Sequence, residues 1–325
     1  MVSQTGIQLN RIKKTVKMSD DVKPYIGRFA PSPTGPLHFG SLVAAVASYL
    51  DALSHQGSWL VRMEDLDKQR EMPGAADEIL HMLEAYGFEW QEAVIYQSQR
   101  FETYQSVLEQ LIADDLVYPC NCSRKEIAAI AHAGIESPVY PGLCRNGLSR
   151  QRKSHTWRLK TECAHLVFKD EIQGMFDHHM QRDVGDFILK RADGQFAYQL
   201  AVVVDDAQQG INHVVRGADL LNSTSRQILL QYYLSLHSPR YAHIPLAVSR
   251  GGQKLSKQNH ATPLDKTDPA PSLIEAFRFL GIDTQYYAPY DSLTNLWSQA
   301  LHDWNITQVS PRKALPISPT VIKNS

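Results

Sequence analysis

Two short segments combine turn residues with cationic or polar side chains in patterns suited to binding phosphate. The first, RFAPSPTGPLHFGS at residues 28–41, joins an apolar segment to an Ala-rich periodic segment through a Pro/Gly turn. Backbone amides at the start of the following helix, together with His38 and Gly40, would face the end of the preceding strand. Helix N-termini bind anions, so this segment predicts one half of a polyphosphate site.

The second segment, KLSKQ at residues 254–258, places Lys254, Ser256 and Lys257 in a Gly-flanked loop. It follows an apolar run at residues 243–248. Two ammonium groups and a hydroxyl can reach a polyphosphate from the opposite side, because lysine pairs with phosphate as a compact point charge. Together the two segments predict ATP held between two halves of one sheet.

Strand and helix patterns alternate along the chain, which favours an α/β fold with a parallel sheet. The predicted strands are residues 25–30, 59–64, 196–205 and 214–216, and the predicted helices are residues 39–53, 75–86, 100–114, 223–236 and 271–280. The first strand, helix and second strand predict one right-handed crossover unit. A composition break at residues 118–152 indicates an insertion, and the chain after the last helix is expected to be a weakly ordered Pro/Ser tail.

Length and composition are those of a globular enzyme-sized protein. The chain has 325 residues, 43% of them hydrophobic and 21% charged, which predicts two to three structural units. No apolar run approaches the roughly 18–20 residues of a membrane span, and the N-terminus lacks the apolar core of a signal peptide. We therefore expect a cytoplasmic protein without membrane association, with residues 1–22 as a disordered extension and Met18 as an alternative start.

The net charge of −1 conceals a basic stretch. Between residues 124 and 160 eight cationic side chains face only Glu126 and Glu136, and they are Arg124, Lys125, Arg145, Arg150, Arg152, Lys153, Arg158 and Lys160. Such a patch could neutralise several phosphates of a nucleic acid and make binding sensitive to salt. The alternative is an ordinary solvated surface.

The four cysteines are Cys120, Cys122, Cys144 and Cys163. Disulfides are disfavoured in a cytoplasmic chain, so clustered thiols point to a metal site or to no special role. A structural zinc site has four ligands, so the three clustered thiolates fall short by one. Tyr140, Cys163 and His132 are the candidates, and spacing alone favours Cys163 or His132, because phenolate has a reference pKa of about 10 and is a rare ligand.

The two phosphate-binding segments carry a family resemblance. PLHFG resembles the HIGH signature of class I aminoacyl-tRNA synthetases, and KLSKQ resembles their KMSKS loop. The flanking RFAPSPTG, and RMEDLD at residues 62–67, look like the glutamyl branch. Only 68 residues follow Lys257 (325 minus 257), fewer than the anticodon-binding region of glutamyl-tRNA synthetases requires. The closest resemblance, over residues 24–300, is therefore to the truncated paralogous family of glutamyl-queuosine tRNA(Asp) synthetases.

The resemblance implies a class I synthetase Rossmann-like parallel sheet divided by a zinc-bearing insertion. The implied units are a first half of the nucleotide-binding domain at residues 24–119, the insertion at 120–190, the second half at 191–262 and a short helical C-terminal region at 263–325. No anticodon-binding domain is expected. Family members with zinc carry Cys-x-Cys followed by Tyr-x-x-x-Cys, which implies one structural Zn²⁺ on Cys120, Cys122, Tyr140 and Cys144 and leaves Cys163 as an ordinary thiol.

A glutamate pocket requires cations for two carboxylates and an anion for the ammonium group. The resemblance implies that Arg28 meets the side-chain carboxylate, Arg216 the main-chain carboxylate and Glu64 the ammonium group. Further contacts are implied for three residues, Tyr198, Ala30 and Ser32. Taken singly, an arginine or glutamate at a strand end is also typical of a surface ion pair, and it is the joint match that favours a pocket.

The resemblance also implies the chemistry. The glutamate carboxylate would attack the α-phosphate of ATP in the presence of Mg²⁺, with His38 and Gly40 at one side of the triphosphate and Lys254, Ser256 and Lys257 at the other. Lys257 and His38 are the expected catalytic residues. Phe39 and Ser41 depart from the HIGH pattern, a loss that glutamyl-branch members often share, and one phosphate donor is thereby missing.

The predicted function is ATP-dependent formation of glutamyl-adenylate and transfer of glutamate to the queuosine base in the anticodon of tRNA(Asp). The expected partners are ATP, L-glutamate and the tRNA(Asp) anticodon arm. Three alternatives stay open: a minimal glutamyl-tRNA synthetase charging a tRNA 3′ end, a noncatalytic paralogue that binds glutamate or ATP, and a nucleotidyltransferase. Composition and spacing indicate neither queuosine, nor the hydroxyl that is esterified, nor the oligomeric state.

Overall fold

A computed structural model of the protein describes residues 8–9, 24–148, 155–162, 164–249, 251 and 263–317. The α-helices in these ranges are α1 (Phe39–Ser54), α2 (Ala75–Ala85), α3 (Phe101–Ala113), α4 (Arg124–Ala128), α5 (Tyr198–Gln208), α6 (Thr224–Tyr233), α7 (Pro269–Phe279) and α8 (Leu293–Asp303). The strands are β1 (Gln8–Leu9), β2 (Ile26–Phe29), β3 (Ser58–Met63), β4 (Ile95–Tyr96), β5 (Val117–Cys120), β6 (Thr156–Leu159), β7 (His165–Asp170), β8 (Gly174–His179), β9 (Phe187–Lys190), β10 (His213–Gly217), β11 (Arg240–Ile244), β12 (Leu246–Val248) and β13 (Ala314–Pro316). None of the described helices is long and apolar enough to cross a membrane.

Parallel strands form the centre of the molecule in two groups. In the first, β2 pairs with β3 and β3 with β4, and in the second, β10 pairs with β11. Asn212 joins the groups: its backbone N–H donates to the carbonyl of Ile26 at 3.1 Å, and its Oδ1 accepts from the N–H of Ile26 at 2.8 Å. The strands predicted at 25–30, 59–64 and 214–216 are therefore confirmed, and they lie in neighbouring positions.

The parallel strands are buried on both faces, as expected when helices cover each side of a sheet. In β3, Trp59 and Val61 pack into one apolar cluster, whereas Leu60 packs into the other. Helices α1, α7 and α8 contribute to the first cluster, and α3, α5 and α6 contribute to the second. The helices predicted at residues 39–53, 75–86, 100–114, 223–236 and 271–280 are all confirmed to within a few residues.

The strand predicted at residues 196–205 is wrong, because most of this segment belongs to α5. Val202, Val203 and Val204 are β-branched and suggest a strand. However, α5 is buried on nearly all sides, so no polar stripe shows its helical period. Gly210 follows the end of the helix with φ of 68°, a left-handed conformation that glycine adopts easily and that commonly ends a helix.

The C-terminal region contains more regular structure than the sequence predicted. The expected weakly ordered tail includes α8, which packs against the face of α1, and β13, which pairs in parallel with β12. The indole N–H of Trp297 donates to the carbonyl of Tyr86 at 3.0 Å, and that of Trp304 donates to Asp51 at 3.3 Å. Two buried tryptophans thus attach the C-terminal region to the core beside α1 and α2.

Antiparallel strands lie between the two parallel groups in sequence. Strands β5, β6 and β9 form one small antiparallel sheet, and β7 and β8 form a hairpin. The hairpin joins the parallel sheet through a single residue pair, Tyr241 with Asp170. Of the predicted extension at residues 1–22, the structure describes only Gln8–Leu9, which pair antiparallel with β7.

Removal of the Trp297 side chain should destabilise the whole fold. Its ring lies 5.0 Å from those of Tyr49 and Phe88, centroid to centroid, in edge-on packing, and 9% of the residue is exposed. We expect Trp297→Ala to lower the free energy of unfolding by about 3–5 kcal/mol in denaturant titrations. Tyr290→Ala, at a residue that is 91% exposed, is the control and should change it by less than about 0.5 kcal/mol. Equal effects would contradict the docking of α8.

Candidate active site

The Pro/Gly turn after β2 forms a compact connection to α1. The N–H of Thr34 donates to the carbonyl of Ser32 at 2.8 Å, and Gly35 has φ of 133°, which favours glycine. The N–H of Glu64 donates to the carbonyl of Pro31 at 2.9 Å, so this turn lies against the end of β3. The predicted residues Ala30 and Ser32 are half-buried and exposed, respectively, at this edge of the sheet.

His38 is the N-cap of α1, and Gly40 lies in the first helical turn. The Nδ1 atom of His38 accepts from the N–H of Ser41 at 3.3 Å. His38 also forms a β-bridge with Pro263, and the N–H of Leu264 donates to the carbonyl of Leu37 at 3.1 Å. The chain that follows the second signature therefore returns to the first signature. Lys254, Ser256 and Lys257 themselves lie outside the described residues.

Arg28 and Arg62 converge on one buried carboxylate of α5. Nε and Nη2 of Arg28 donate to the two oxygens of Asp206 at 3.1 and 3.4 Å, and Nη2 of Arg62 donates to Asp206 at 2.7 Å. The same Nη2 atom lies 3.4 Å from Oε1 of Glu64, and Nη1 of Arg62 donates to Gln209 at 2.6 Å. Arg28 is 3% exposed and Arg62 is fully buried, so these pairs hold charges away from water.

Two of the carboxylates near Arg62, those of Asp206 and Glu64, respond differently to burial. Burial would raise the pKa of Asp206, but the positive charges of Arg28 and Arg62 outweigh it and lower the pKa below its ordinary value. Burial raises the pKa of Glu64, and the same two arginines offset only part of that effect. Asp206 is therefore a fixed counter-charge, whereas Glu64 lacks full compensation in the protein alone.

Asp205, the neighbour of Asp206 on α5, faces a different set of partners. Its carboxylate accepts from Gln97 at 2.8 Å, from Nε of Arg100 at 2.7 Å and from the hydroxyl of Tyr104 at 2.8 Å. It also lies 3.9 Å from Nε of Arg62. The two adjacent aspartates thus attach α5 to both α3 and the parallel strands.

Arg216, near the end of β10, is buried and has four polar partners. Nη1 donates to the hydroxyl of Tyr198 at 3.3 Å, and Nη2 donates to Thr224 at 2.9 Å and to the carbonyl of Leu220 at 3.4 Å. Its Nε donates to Nε2 of His243 at 2.9 Å. Tyr198 and Thr224 are the first residues of α5 and α6, so the N-terminal ends of two helices meet at this guanidinium.

The predicted glutamate-pocket residues lie in one electrostatic neighbourhood. Burial raises the pKa of the Tyr198 hydroxyl, the charges of Arg216 and Arg28 act against that shift, and that of Glu64 adds to it. Arg28, Glu64, Tyr198 and Arg216 therefore lie close enough to interact electrostatically, near the carboxyl ends of β2, β3 and β10. Their contacts with a substrate stay predictions.

Three cysteines and one tyrosine form a separate cluster. The thiols of Cys120, Cys122 and Cys144 all lie within 4.8 Å of one another, and the Cys122 and Cys144 sulfurs are 3.6 Å apart. The Tyr140 hydroxyl lies 3.3 Å from the Cys120 sulfur and 3.5 Å from the Cys122 sulfur. Ligands of tetrahedral zinc with Zn–S distances of about 2.3 Å are separated by about 3.8 Å, so these four groups have suitable spacing.

The alternative fourth ligands differ in position. Nε2 of His132 lies 2.7 Å from the carbonyl of Arg182, at an exposed position. Cys163 lies outside the described residues. Burial, followed by hydrogen bonds with the three cysteines, raises the pKa of the Tyr140 hydroxyl. Within the part of the chain that the structure describes, one further group has metal-ligand character, His165, Asp177 and His179 on the β7–β8 hairpin, and there His165 already pairs with Asp177 at 2.5 Å.

The predicted basic stretch is partly internal. Arg158 is 7% exposed, donates to the carbonyl of Asp186 at 2.9 Å and stacks over the Tyr140 ring at 4.2 Å. Arg145 forms two 2.6 Å bonds with the carboxylate of Asp186. Arg124 and Lys125 are exposed. At least two of the eight cationic side chains, Arg145 and Arg158, therefore pack within the region around the Cys/Tyr cluster and do not form part of an open basic patch.

Comparison with known proteins assigns the family. The family model for the catalytic domain of class I tRNA synthetases (E and Q) matches residues 26–286. A glutamyl-Q tRNA(Asp) synthetase of Dechloromonas aromatica is 54% identical over 298 residues, covering 91% of this chain and 99% of the relative. The chain belongs to the glutamyl-Q tRNA(Asp) synthetase family. The predicted class I synthetase α/β fold is confirmed with this assignment.

A further glutamyl-Q tRNA(Asp) synthetase and two solved structures are also similar to this chain. A glutamyl-Q tRNA(Asp) synthetase of Chromobacterium violaceum is 50% identical over 287 residues, covering 88% of this chain and 95% of the relative. The crystal structure of a glutamate tRNA ligase from Elizabethkingia meningosepticum in complex with its amino acid has a TM-score of 0.74 and 25% identity, covering 93% of this chain and 68% of the other. A glutamate-tRNA synthetase from Elizabethkingia anophelis, at 24% identity and a TM-score of 0.76, has the same fold over 93% of this chain and 69% of its own.

Sequence reasoning missed the residues that hold the arginines in place. Asp205, Asp206, Asp170 and His243 are all buried, and all contact an arginine or a partner of an arginine. The available signal was the pair of adjacent aspartates after three valines, since buried carboxylates need cationic partners. Assigning that segment to a strand hid the signal.

Loss of the Asp206 charge should destabilise the protein in a pH-dependent way. We expect Asp206→Asn to lower the free energy of unfolding by about 3–5 kcal/mol at neutral pH, because two buried guanidinium groups lose a counter-charge. The folded-state pKa of Asp206 lies below its unfolded value of about 3.9, so its stabilisation is present above that value and is lost as pH falls through the folded pKa. The difference between variant and native protein should therefore shrink below about pH 4.

Denaturant titrations at several pH values would measure this difference. Asp67→Asn is the matched control, because Asp67 pairs at 2.7 Å with Arg70, whose side chain is 67% exposed. Exposed pairs contribute little, so the control should stay within about 1 kcal/mol of the native protein. A pH-independent loss in Asp206→Asn would show that packing, and not charge, accounts for it.

Proposed function

We propose that this protein activates glutamate with ATP and transfers the glutamyl group to the queuosine base in the anticodon of tRNA(Asp). The observation that carries the proposal is 54% identity over 99% of the length of a relative named glutamyl-Q tRNA(Asp) synthetase. The cluster of Arg28, Glu64, Tyr198 and Arg216 supports the glutamate part, since it offers the charges that an amino dicarboxylic acid needs.

In this proposal each charged group of glutamate meets one side chain. Arg28 binds the side-chain carboxylate through Nη1, which neither of its bonds to Asp206 uses. Arg216 binds the main-chain carboxylate, and Glu64 binds the ammonium group, which supplies the cation that its own surroundings only partly provide. Tyr198 donates a hydrogen bond, and Ala30 and Ser32 contact the amino acid from the turn below it.

Activation then follows without a protein nucleophile. A carboxylate oxygen of glutamate attacks the α-phosphorus of ATP, the bond to the β-phosphate oxygen breaks, and pyrophosphate leaves. His38, Gly40 and the amides at the start of α1 bind the triphosphate from one side. Lys254, Ser256 and Lys257 bind it from the other, and Lys257 and His38 stabilise the charge that moves onto pyrophosphate. Mg²⁺ accompanies the nucleotide and neutralises part of its charge.

We further propose that Cys120, Cys122, Tyr140 and Cys144 hold one structural zinc ion. The Tyr140 hydroxyl lies 3.3 and 3.5 Å from the Cys120 and Cys122 sulfurs, and the three cysteine sulfurs all lie within 4.8 Å of one another, which supports this set. Zinc supplies no chemistry to glutamate activation here; it would attach the loop around Tyr140 to the end of β5. The proposed units are residues 24–119 and 191–262 as the nucleotide-binding halves, 120–190 as the insertion and 263–325 as a helical C-terminal region.

The tRNA acceptor distinguishes the proposed function from its main alternative. In the proposal, the anticodon arm of tRNA(Asp) enters the site that an acceptor stem fills in glutamyl-tRNA synthetases. A minimal glutamyl-tRNA synthetase would use the same glutamate and ATP contacts but a tRNA 3′ end. The likeness to glutamate-tRNA synthetase structures supports the shared activation step and does not separate the two acceptors.

Transfer of radiolabelled glutamate to purified tRNAs tests the acceptor. We expect label on tRNA(Asp) that contains queuosine and none on queuosine-free tRNA(Asp) or on tRNA(Glu). Labelled glutamine serves as the amino-acid control and should give no product, because its neutral amide cannot form the charge-assisted hydrogen bond that a carboxylate forms with Nη1 of Arg28. Label on the 3′ end of tRNA(Glu) would establish the minimal synthetase instead.

Activation should depend strongly on Lys257. Loss of one positioned donor that stabilises transition-state charge costs about 10²–10³-fold in rate, so Lys257→Ala should slow glutamate-dependent ATP–pyrophosphate exchange by that factor. Lys266→Ala, beyond the signature on the C-terminal side, is the control and should leave exchange unchanged. An unaltered rate in Lys257→Ala would remove this loop from the mechanism.

Metal analysis tests the zinc set separately. We expect about one zinc per chain in freshly purified protein, lost in Cys144→Ser and in Tyr140→Phe but kept in Cys163→Ser. Zinc lost in Cys163→Ser and kept in Tyr140→Phe would make Cys163 the fourth ligand. If protein purified without chelators contains no zinc, the proposed zinc site is wrong.

A further inference from the structure

Two buried residues outside the proposed ligand set connect to Arg216. Arg216 on β10 and His243 on β11 are direct partners in the parallel register, so their side chains lie on the same face of the sheet. Nε of Arg216 donates to Nε2 of His243 at 2.9 Å, and the imidazole is fully buried. An arginine Nε always carries a proton, so Nε2 of His243 must accept and cannot itself be protonated.

The other ring nitrogen identifies the tautomer. Nδ1 of His243 lies 2.5 Å from Oδ2 of Asp170, which fits an N–H donating to a carboxylate. The second oxygen of Asp170 accepts three backbone N–H groups, from Ile172, Gln173 and His243 at 3.1, 2.8 and 3.1 Å. The carboxylate is fully buried and cannot rotate without breaking these bonds. Asp170 therefore selects the tautomer that presents a bare Nε2 to Arg216.

The imidazole remains uncharged in this position. Burial lowers the pKa of His243 to about 4, although the hydrogen bond to Asp170 acts in the opposite direction. The groups around it are the Arg216 cation, the Asp170 carboxylate and the hydroxyl of Thr224, which lies 3.3 Å from Nε2. The negative charge of Asp219 also acts on the imidazole and opposes the effect of burial on its pKa. A neutral acceptor fixes the plane of the guanidinium without cancelling its charge.

Arg28 and Arg216 differ in the charge of their hydrogen-bond partners. Arg28 forms a direct ion pair with Asp206, whereas the recorded partners of Arg216 are an imidazole, two hydroxyls and a carbonyl. The imidazole ring of His243 separates the Asp170 carboxylate from Arg216. The positive charge of Arg216 is therefore oriented but left for a ligand anion.

We propose that Asp170 and His243 are positioning residues that hold Arg216 for the main-chain carboxylate of the amino-acid substrate by fixing the histidine tautomer. The proposal rests on the proposed function, because it assumes that Arg216 binds that carboxylate. It predicts that the hydrogen-bonding pattern at Nε2, and not the bulk of the side chain, determines affinity for the amino acid.

Three variants of similar size distinguish the effect of the hydrogen-bonding pattern at Nε2 from the effect of side-chain bulk. Asp170→Asn keeps an oxygen for the backbone N–H groups but turns an NH₂ towards Nδ1, which moves the ring proton to Nε2 and sets donor against donor at Arg216. His243→Asn keeps a group near Nδ1 and removes the acceptor at Nε2. His243→Gln loses the Nδ1 contact but can place its amide oxygen near the Nε2 position.

Glutamate-dependent ATP–pyrophosphate exchange measures the result. We expect Asp170→Asn and His243→Asn to raise the KM for glutamate by about 5-fold to 150-fold, the range for an unsatisfied buried donor, with kcat within about threefold of the native value. The KM for ATP should not change. His243→Gln should stay within about threefold of native in all three constants. Asp177→Asn is the matched control, because Asp177 forms a 2.5 Å pair with His165 on the exposed hairpin.

Nitrogen chemical shifts provide a readout that does not depend on activity. In native protein the ¹⁵N signals of His243, assigned by their loss in His243→Gln, should report a protonated Nδ1 and a bare Nε2, and Asp170→Asn should reverse them. An Nε2-protonated ring in native protein would overturn the proposal, as would an unchanged KM for glutamate in both Asp170→Asn and His243→Asn. A native protein with the expected tautomer but no glutamate-dependent exchange would instead overturn the proposed function. Should His243→Asn fail to fold, Asp170→Asn alone decides.

Discussion

The pair of adjacent aspartates in the last turn of α5 is the feature on which the site depends. Asp205 binds Gln97, Arg100 and Tyr104 on the α3 side, and Asp206 binds Arg28 and Arg62 on the strand side. Buried ion pairs add little net stability, because desolvation offsets the attraction. Their value here is geometric: one helix turn fixes two arginines whose positions would otherwise follow the strands alone.

The parts of the fold that were predicted well from the sequence have clear apolar periodicity or are bounded by turn-forming residues. Helix α1 begins after the Pro/Gly turn, and β2 and β3 are short apolar runs bounded by polar residues, so their limits were predicted within about two residues. Helix α8 lies beyond a Pro- and Ser-containing segment and depends on Trp297 and Trp304 contacting distant residues. Those contacts are tertiary, and local composition does not report them.

The same distinction applies to the site. Residues that a substrate would contact lie in recognisable segments, so Arg28, Glu64, Tyr198 and Arg216 could be selected from the sequence and are found together. Residues that only orient them, such as Asp170, bind side chains that are distant in sequence, and Asp170 and His243 are 73 positions apart. Buried aspartate and histidine are readily taken for surface residues in a sequence, because their partners cannot be recognised there.

The β-bridge between His38 and Pro263 has a mechanical consequence. The chain that carries the second signature leaves from Val248, which β13 pairs through Pro316, and arrives at Pro263, which the start of α1 holds. Both ends of the segment are thus attached to regular elements of the fold. Tethering at two points removes much of the entropy that closing a free loop would cost. The C-terminal strand β13 therefore helps to fix the point from which the second signature departs, and an alteration at Pro316 would weaken that attachment.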